Sequence, residues 1–205
     1  MGDIKKLKKQ YFTPRHPWVK KTIEEEAIIV KEYGLQKKKE IHIAASFLKK
    51  YKDITKRLIA DHTVQGAKEK EQMMMKLSKM GLLPTDAKID HVLSLTLRDI
   101  LNRRVQSLVH KKGFARSMKQ ARQFITHNHV LVGVKSVTSP STLLTVELEN
   151  NLTFKSSSAL AAEDHPERVL IERNLAKEAE AARKQAERAK EAQYKNGRRN
   201  KRERK

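Results

Sequence analysis

The stretch that decides the fold, from Leu101 to Val137, reads LNRRVQSLVHKKGFARSMKQARQFITHNHVLVGVKSV. Its first part has apolar residues at helical spacing and predicts a helix that ends at Gly113. Ser117 is suited to cap a second helix. The alternation that begins at Val130 predicts a strand, followed by a turn at Gly133 and a returning strand. The stretch therefore predicts two helices and a β-hairpin.

The predicted helix pair and the residues just before it carry a strong positive charge. Residues 98–122 contain eight basic side chains and one acidic residue, Asp99, which gives a net charge of +7. The basic residues are Arg98, Arg103, Arg104, Lys111, Lys112, Arg116, Lys119 and Arg122. The helical pattern predicts that they project away from the apolar stripe, on one face of the two helices. A rigid basic surface of this kind suits a phosphate backbone.

The whole composition points the same way. The chain has 205 residues and a formal net charge of +21, which favours nucleic acid as the partner. An anionic membrane surface is the second candidate, but no segment approaches 18 consecutive apolar residues. The basic N-terminus has no apolar stretch behind it, so we expect no secretory signal. The absence of cysteine excludes disulfides and cysteine-ligated metals, and a cytosolic location is expected.

Four regions are predicted, and together they give an α+β chain. Residues 1–21 form a basic extended arm, 22–100 a helical domain, 101–155 the two-helix module with β-hairpins, and 156–205 a linker with a charged helix and a basic tail. Helices are predicted over about Thr22–Glu32, Lys38–Ala60 and Ala67–Met80. Alternation at residues 144–148 predicts a further strand, turned by Asn150 and Asn151. Asp164 is predicted to cap the last, alanine-rich helix.

No catalytic constellation is evident in the sequence. It has neither a glycine-rich phosphate loop nor a Gly-x-Ser-x-Gly elbow. His127 and His129 have no acidic neighbour in sequence, so phosphate hydrogen bonding or plain exposure is favoured over metal binding. Asp86 and Asp90 are interpreted as solvated turn and cap residues. We expect no enzymatic activity, no cofactor and no metal.

Several segments resemble a known family. Residues 103–109, 112–117, 120–125 and 129–132 resemble the RNA-binding module that is named after the fourth protein of the small ribosomal subunit. Further similarity lies at 13–18, 24–26, 31–35 and 79–83, where the chain is similar to the archaeal form of that whole ribosomal protein. The resemblance covers residues 1–155. Two details depart from the usual pattern: the hairpin turn has Gly133-Val134 in place of Asn-Gly, and Asn128 stands where glycine is common.

The resemblance implies a primary binder of small-subunit ribosomal RNA. Such a protein organises the 5′ domain of that RNA during assembly and lies near the mRNA entry path, beside the third and fifth small-subunit proteins. The alternative is a transient pre-ribosomal assembly factor of the same superfamily. Enzymes that borrow the module, such as pseudouridine synthases, need a catalytic domain for which no segment remains. A general nucleic-acid chaperone would bind any RNA equally.

The resemblance and the charge pattern together give the candidate RNA-binding residues. By resemblance, the RNA-facing positions are Arg103, Arg104, Lys111, Arg116, Ser117, Lys119, Gln120, Arg122 and Gln123. Charge and hydrogen-bonding capacity add Arg98, Lys112, His127 and Lys135. The N-terminal arm adds Lys5, Lys6, Lys8, Lys9, Arg15, His16 and Trp18, and the second helix adds Lys56 and Arg57.

Overall fold

The computed structural model describes residues 9, 11–84, 86–162 and 165–167. The described chain is α+β, as predicted. One compact unit extends through Ser158, and a second begins at Ala159. Within the second unit, the structure describes a short 3₁₀ turn at Ala159–Ala161. The helix predicted from Asp164 and the basic tail lie outside the described residues.

Among the described residues, the N-terminal part contains helices α1 (Lys20–Glu32), α2 (Lys38–Ala60), α3 (Val64–Lys79) and α4 (His91–Ser94). The predicted bounds of α2 are confirmed. The predicted start of α1 at Thr22 is wrong, because the helix begins at Lys20, after the extended residue Val19. Helix α3 also begins earlier than the predicted Ala67. Thr63 caps it, because the Thr63 hydroxyl accepts from the Gly66 N–H at 3.0 Å.

One side of α2 forms the core of this region. Its buried residues are Ile41, Ala44, Tyr51, Thr55 and Leu58. Ala45 and Ile59 of the same helix are exposed. The observed spacing of three and four residues follows one helical stripe, and those two positions fall beside it. Thr55 is tolerated inside because its hydroxyl donates to the Tyr51 carbonyl at 2.8 Å.

Two hydrophobic clusters hold these helices together. The first joins α2, α3 and α4 through Tyr51, Leu58, Met73, Leu77, Leu83, Ile89, Val92 and Leu95. The second joins the end of α1, the start of α2 and the next helix through Tyr33, Leu35, Ile41, Ala44, Ile100 and Leu101. Because α2 contributes to both clusters, it connects them. No described helix has the length and apolar content that a membrane crossing requires.

The predicted first helix of the module is interrupted. It consists of α5 (Leu97–Asn102) and α6 (Val105–Lys111), and the backbone of Arg104 between them is extended. Thr96 and Asp99 form a capping box at the start of α5. At the break, the Val105 N–H donates to the Thr142 carbonyl at 2.9 Å instead of continuing a helix. The prediction failed because the segment that breaks the helix is remote in sequence.

The second helix and the hairpin agree with the prediction. Helix α7 (Met118–Thr126) is capped by Ser117, whose hydroxyl accepts from the Gln120 N–H at 3.2 Å. It is followed by β1 (Val130–Val132) and β2 (Lys135–Ser136), which pair antiparallel. Asn128 ends the helix with a φ of 63°, a left-handed conformation that asparagine tolerates. Gly133, at the hairpin turn, has a φ of 62°.

The region after the hairpin differs from the prediction. Residues predicted as a strand form helix α8 (Val146–Asn150), so the predicted turn at Asn150-Asn151 does not join two strands. Thr145 caps α8, and Glu147 lies in its first turn, where the helix dipole favours a carboxylate. Strand β3 (Leu152–Phe154) then pairs antiparallel with β1, which gives the sheet order β2-β1-β3.

Candidate nucleic-acid interface

A buried glutamine fixes the two principal helices of the candidate interface relative to each other. Gln106 lies on α6 and is almost fully buried. Its side-chain amide donates to the carbonyls of Met118, at the start of α7, at 2.8 Å and of Tyr33, after α1, at 3.1 Å. The buried hydrogen bonds therefore position α6 and α7 before any ligand binds.

The start of α7 forms a second rigid feature. The Ser117 hydroxyl accepts from the backbone of Gln120, and the Gln120 side-chain oxygen accepts from the Arg116 N–H at 2.9 Å. Both of these predicted RNA-facing polar residues thus also stabilise the helix end. Lys119 and Gln123 are exposed on the same helix, as is Arg116 just before it.

The basic residues of the module fall into two groups. The exposed cations are Lys111, Lys112, Arg116 and Lys119. The paired arginines are Arg103, Arg104 and Arg122, whose guanidinium groups contact carboxylates from distant parts of the chain. His127 and Lys135 are also exposed, on the hairpin side of α7. The structure therefore divides a set of residues that the sequence suggested would share one face.

Arg103 contacts the element that the sequence failed to predict. Its Nη1 donates to the Glu149 carboxylate of α8 at 2.8 Å, and its Nη2 donates to the Leu144 carbonyl at 3.3 Å. Lys112 donates to the backbone carbonyl of the same Glu149. These contacts fasten α8 to α6, so that Arg103 serves the fold of the module.

Arg104 and Arg122 share a single carboxylate, that of Glu40 on α2. Arg104 Nη2 lies 2.5 Å from Glu40 Oε2, and Arg122 Nη2 lies 3.0 Å from Glu40 Oε1. Arg122 Nη1 makes a third contact with Oε2 at 3.2 Å. Arg104 is only 4% exposed, so its expected placement on an open face is wrong. Glu40 therefore adds an ionic contact to the apolar packing between α2 and the module.

The charges of this cluster affect its acid. Burial alone would raise the pKa of Glu40, but hydrogen bonds from Arg122 and Arg104 and their positive charges outweigh burial. The pKa of Glu40 is consequently lowered, and the carboxylate stays ionised. The sequence gives one signal for this role: Glu40 precedes Ile41 and lies one turn before Ala44, beside the buried stripe of α2.

None of the remaining candidate residues belongs to α6 or α7. Arg98 pairs with Glu32 at 3.1 Å, but both side chains are exposed, and such a pair contributes little. Arg15, His16 and Trp18 are exposed in the segment before α1, with Trp18 88% exposed. Lys56 and Arg57 are exposed on α2, at a distance in sequence from the module. Lys5, Lys6 and Lys8 lie outside the described residues.

Lys9 and the residues after it are positioned against α2. Lys9 Nζ donates to the Thr13 hydroxyl at 3.2 Å and lies 4.7 Å from the centre of the Tyr11 ring. The Tyr11 ring stacks on His42 with centroids 6.4 Å apart, and the Phe12 N–H donates to the Ser46 hydroxyl at 2.8 Å. The described part of the arm is therefore held on α2.

The two histidines at the end of α7 have different environments. The His127 and His129 rings stack with centroids 6.3 Å apart, and His129 Nδ1 lies 2.8 Å from the Ser158 hydroxyl. A group of three or more histidine and acidic side chains that could hold a metal ion does not occur among the described residues. Stacking and hydrogen bonding account for the position of this pair.

The fold and the exposed cations define a small α+β module with a cationic surface. Comparison with known proteins assigns this module to a family. Residues 103–150 match the family model of the S4 domain. The chain is 44% identical to small ribosomal subunit protein uS4 of Methanococcus maripaludis over 170 residues, which cover 82% of this chain and 96% of that protein. It is 43% identical to the protein of the same name from Methanococcus vannielii, with the same coverage. The chain belongs to the uS4 family of small ribosomal subunit proteins, and the assignment made from the sequence is confirmed.

Proposed function

We propose that this protein is a non-enzymatic structural constituent of the small ribosomal subunit and a primary binder of its ribosomal RNA. The exposed cations at the end of α6 and the start of α7, supplemented by His127 and Lys135, form the main contact. One observation carries the proposal: these cations lie within the S4-domain match, on helices that Gln106 locks together. A preformed cationic surface is what binds phosphates placed by a folded RNA.

The paired arginines have a different role in this proposal. Arg103 and Arg104 keep the module folded and attached to α2, and Arg122 belongs to the same ionic cluster. Their charges raise the local positive potential, while the main phosphate contacts are made by side chains that reach solvent. The proposed interface is therefore the exposed part of the set that the resemblance implied.

The more specific parts of the proposal rest on the family assignment and on the strong positive charge of the chain. We infer that the protein organises the 5′ domain of the RNA early in assembly. In the mature subunit it would lie near the mRNA entry region, beside the third and fifth small-subunit proteins, in the cytoplasm. Crosslinking within purified subunits would test these neighbours. Recovery of the protein in small subunits after a high-salt wash is expected for a permanent constituent, whereas a transient assembly factor would be lost.

Filter binding of the full chain to a 5′-domain fragment of small-subunit RNA tests the interface. Lys111→Glu combined with Lys119→Glu should weaken binding strongly and reduce the slope of log affinity against log salt by about 2. The matched control is Lys68→Glu combined with Lys70→Glu, which makes the same charge change at exposed positions of α3. Equal losses in the two variants would show that only net charge matters and would refute the assignment of this surface. Equal affinity for bulk transfer RNA would instead indicate a general nucleic-acid chaperone.

A further inference from the structure

A groove beside the Glu40 cluster has more positive charge than its single acid neutralises. This groove, called here the Glu40 groove, lies between α2 and the loop at 139–143 and has a volume of about 460 Å³. Its charged lining residues are Lys37, Lys39, Arg104, Arg122 and Glu40. Four cations face one carboxylate, which leaves a net charge of +3. By contrast, Arg103 is matched one to one by Glu149.

The innermost cation has hydrogen-bonding capacity to spare. Arg104 uses Nη2 for Glu40, and its Nε and Nη1 have no hydrogen-bond partner within the part of the chain that the structure describes. Buried guanidinium donors without acceptors are costly, and an anion or its bound water supplies acceptors. The charge excess and these donors both indicate an anionic ligand.

The groove also has an apolar floor, which a simple anion does not require. The floor consists of Ile43 and Phe47 from α2, Ile100 from α5, and Pro140 and Leu143 from the loop. Ile43 is 46% exposed although it is a large apolar residue. Ser139 and Ser141 add hydroxyl groups to the lining. An apolar surface next to a cationic rim matches a molecule that combines a flat apolar ring with a phosphate.

We propose that the Glu40 groove binds one unstacked nucleotide of an RNA strand, with its base on the apolar floor and its phosphate at Arg104 and Arg122, within reach of Lys37 and Lys39. The volume lies in the range of about 300–1,000 Å³ that is typical of small-ligand pockets. Proteins commonly read RNA by holding bases that are splayed out of a helix. This inference rests on the proposed function, because it adds a nucleotide pocket to an RNA-binding protein.

Nuclear magnetic resonance titration of the full chain tests the pocket directly. Adenosine 5′-monophosphate, added up to about 10 mM, should shift the amide signals of Ile43 and Ser141. Inorganic phosphate alone and adenosine alone should each bind at least about tenfold more weakly, since each has half of the contacts. No shift with the nucleotide would overturn the proposal. Equal binding of inorganic phosphate would reduce the groove to an anion site, and preferential binding of an acidic peptide would make it a protein-docking groove.

Two variants test the groove without changing a buried side chain. One fills the groove, and the other adds a negative charge to it. Ser141→Trp fills it from an exposed loop position, and Ser156→Trp is its control on an exposed turn. Ile43→Glu places a negative charge on the apolar floor of the groove, and Ile28→Glu is its control on α1, where the same residue type is also exposed. Both groove variants should lose nucleotide binding by at least about tenfold while the controls keep it. Thermal unfolding confirms that each variant is folded.

The same variants separate this inference from the proposed function. With the 5′-domain RNA fragment, Ile43→Glu should lower the affinity about tenfold relative to Ile28→Glu. If the unmodified protein fails to bind the fragment, the proposed function is wrong. If it binds and the two glutamate variants bind equally well, only the nucleotide pocket is wrong.

Discussion

The exposed cations and the paired arginines come from the same stretch of sequence but have opposite environments. Lys111 and Lys119 project into solvent, whereas Arg104 is buried against Glu40, and Arg103 against Glu149. Glu40 lies 64 residues before Arg104, and Glu149 lies 46 residues after Arg103. Basic residues in a stretch with few acidic residues can therefore still pair with carboxylates from other parts of the chain. Cations with remote carboxylate partners organise the fold, and those that remain exposed are available to phosphates.

The largest expected effect comes from reversing the charges of two paired arginines. Arg104→Glu combined with Arg122→Glu would place three carboxylates around the Glu40 position. If both arginines lay on an open surface, this double variant would lose RNA binding with an almost unchanged melting temperature. The burial of Arg104 contradicts the second part, and we now expect a loss comparable with the whole folding free energy, on the order of 5 kcal/mol or more. Circular dichroism should show an unfolded chain, and a cooperative transition near that of the unmodified protein would refute the structural role.

A neutral replacement of the shared acid should have the next largest effect. Glu40→Gln keeps the size of the side chain but leaves two partly buried guanidinium groups without their counter-charge. We expect a loss of about 3 kcal/mol in the free energy of unfolding, measured by urea denaturation. The control is Glu32→Gln, which removes the exposed partner of Arg98 and should change stability by less than about 0.5 kcal/mol. Similar losses in both variants would contradict a special role for Glu40.

The pKa of Glu40 predicts how this stabilisation depends on pH. Because the folded-state pKa is lowered, the unfolded chain binds the proton more readily. The contribution is complete above the ordinary glutamate pKa of about 4.3, and it declines as the pH falls from there through the lowered value. The difference in stability between the unmodified protein and Glu40→Gln should therefore shrink over that range. A difference that stays constant during acid titration would contradict the lowered pKa.

Asp61 adds a separate acid-dependent contribution that both proteins share. Hydrogen bonds from the backbone and side chain of Thr63 lower the pKa of this exposed carboxyl. Because Asp61 is unchanged in Glu40→Gln, its titration cancels in the comparison. The remaining difference between the two proteins then reports on the Glu40 cluster.

The smallest effect on stability is expected for an exposed cation. Lys119→Gln should change the free energy of unfolding by less than about 0.5 kcal/mol, because the side chain is exposed. It should nevertheless weaken binding to the RNA fragment and reduce the salt slope by about 1. Urea denaturation and filter binding on the same preparation check both parts. A marked loss of stability together with unchanged binding would reverse the division between the two groups of cations.

Local patterns predicted the elements whose stability is local. The bounds of α2, the Ser117 cap of α7 and the left-handed Asn128 follow from helical spacing and capping chemistry, which act within a few residues. The β1–β2 hairpin likewise depends on neighbouring residues around Gly133. The family could be recognised from the sequence because many of its motifs lie in such locally determined elements.

The tertiary structure decided the rest. The break at Arg104 depends on hydrogen bonds between its neighbours and residues 142–144. The segment expected to be a strand forms α8, and β3 pairs with the edge of β1 that β2 leaves open. Alternating apolar residues such as Val146 and Leu148 are compatible with a strand, but both are exposed on α8. The sequence by itself determined the elements, the charge and the family of this protein. Only the packing of α2 and α8 around these cations decided which of them face carboxylates and which face solvent, because ion pairs form between groups that the fold brings within hydrogen-bonding distance.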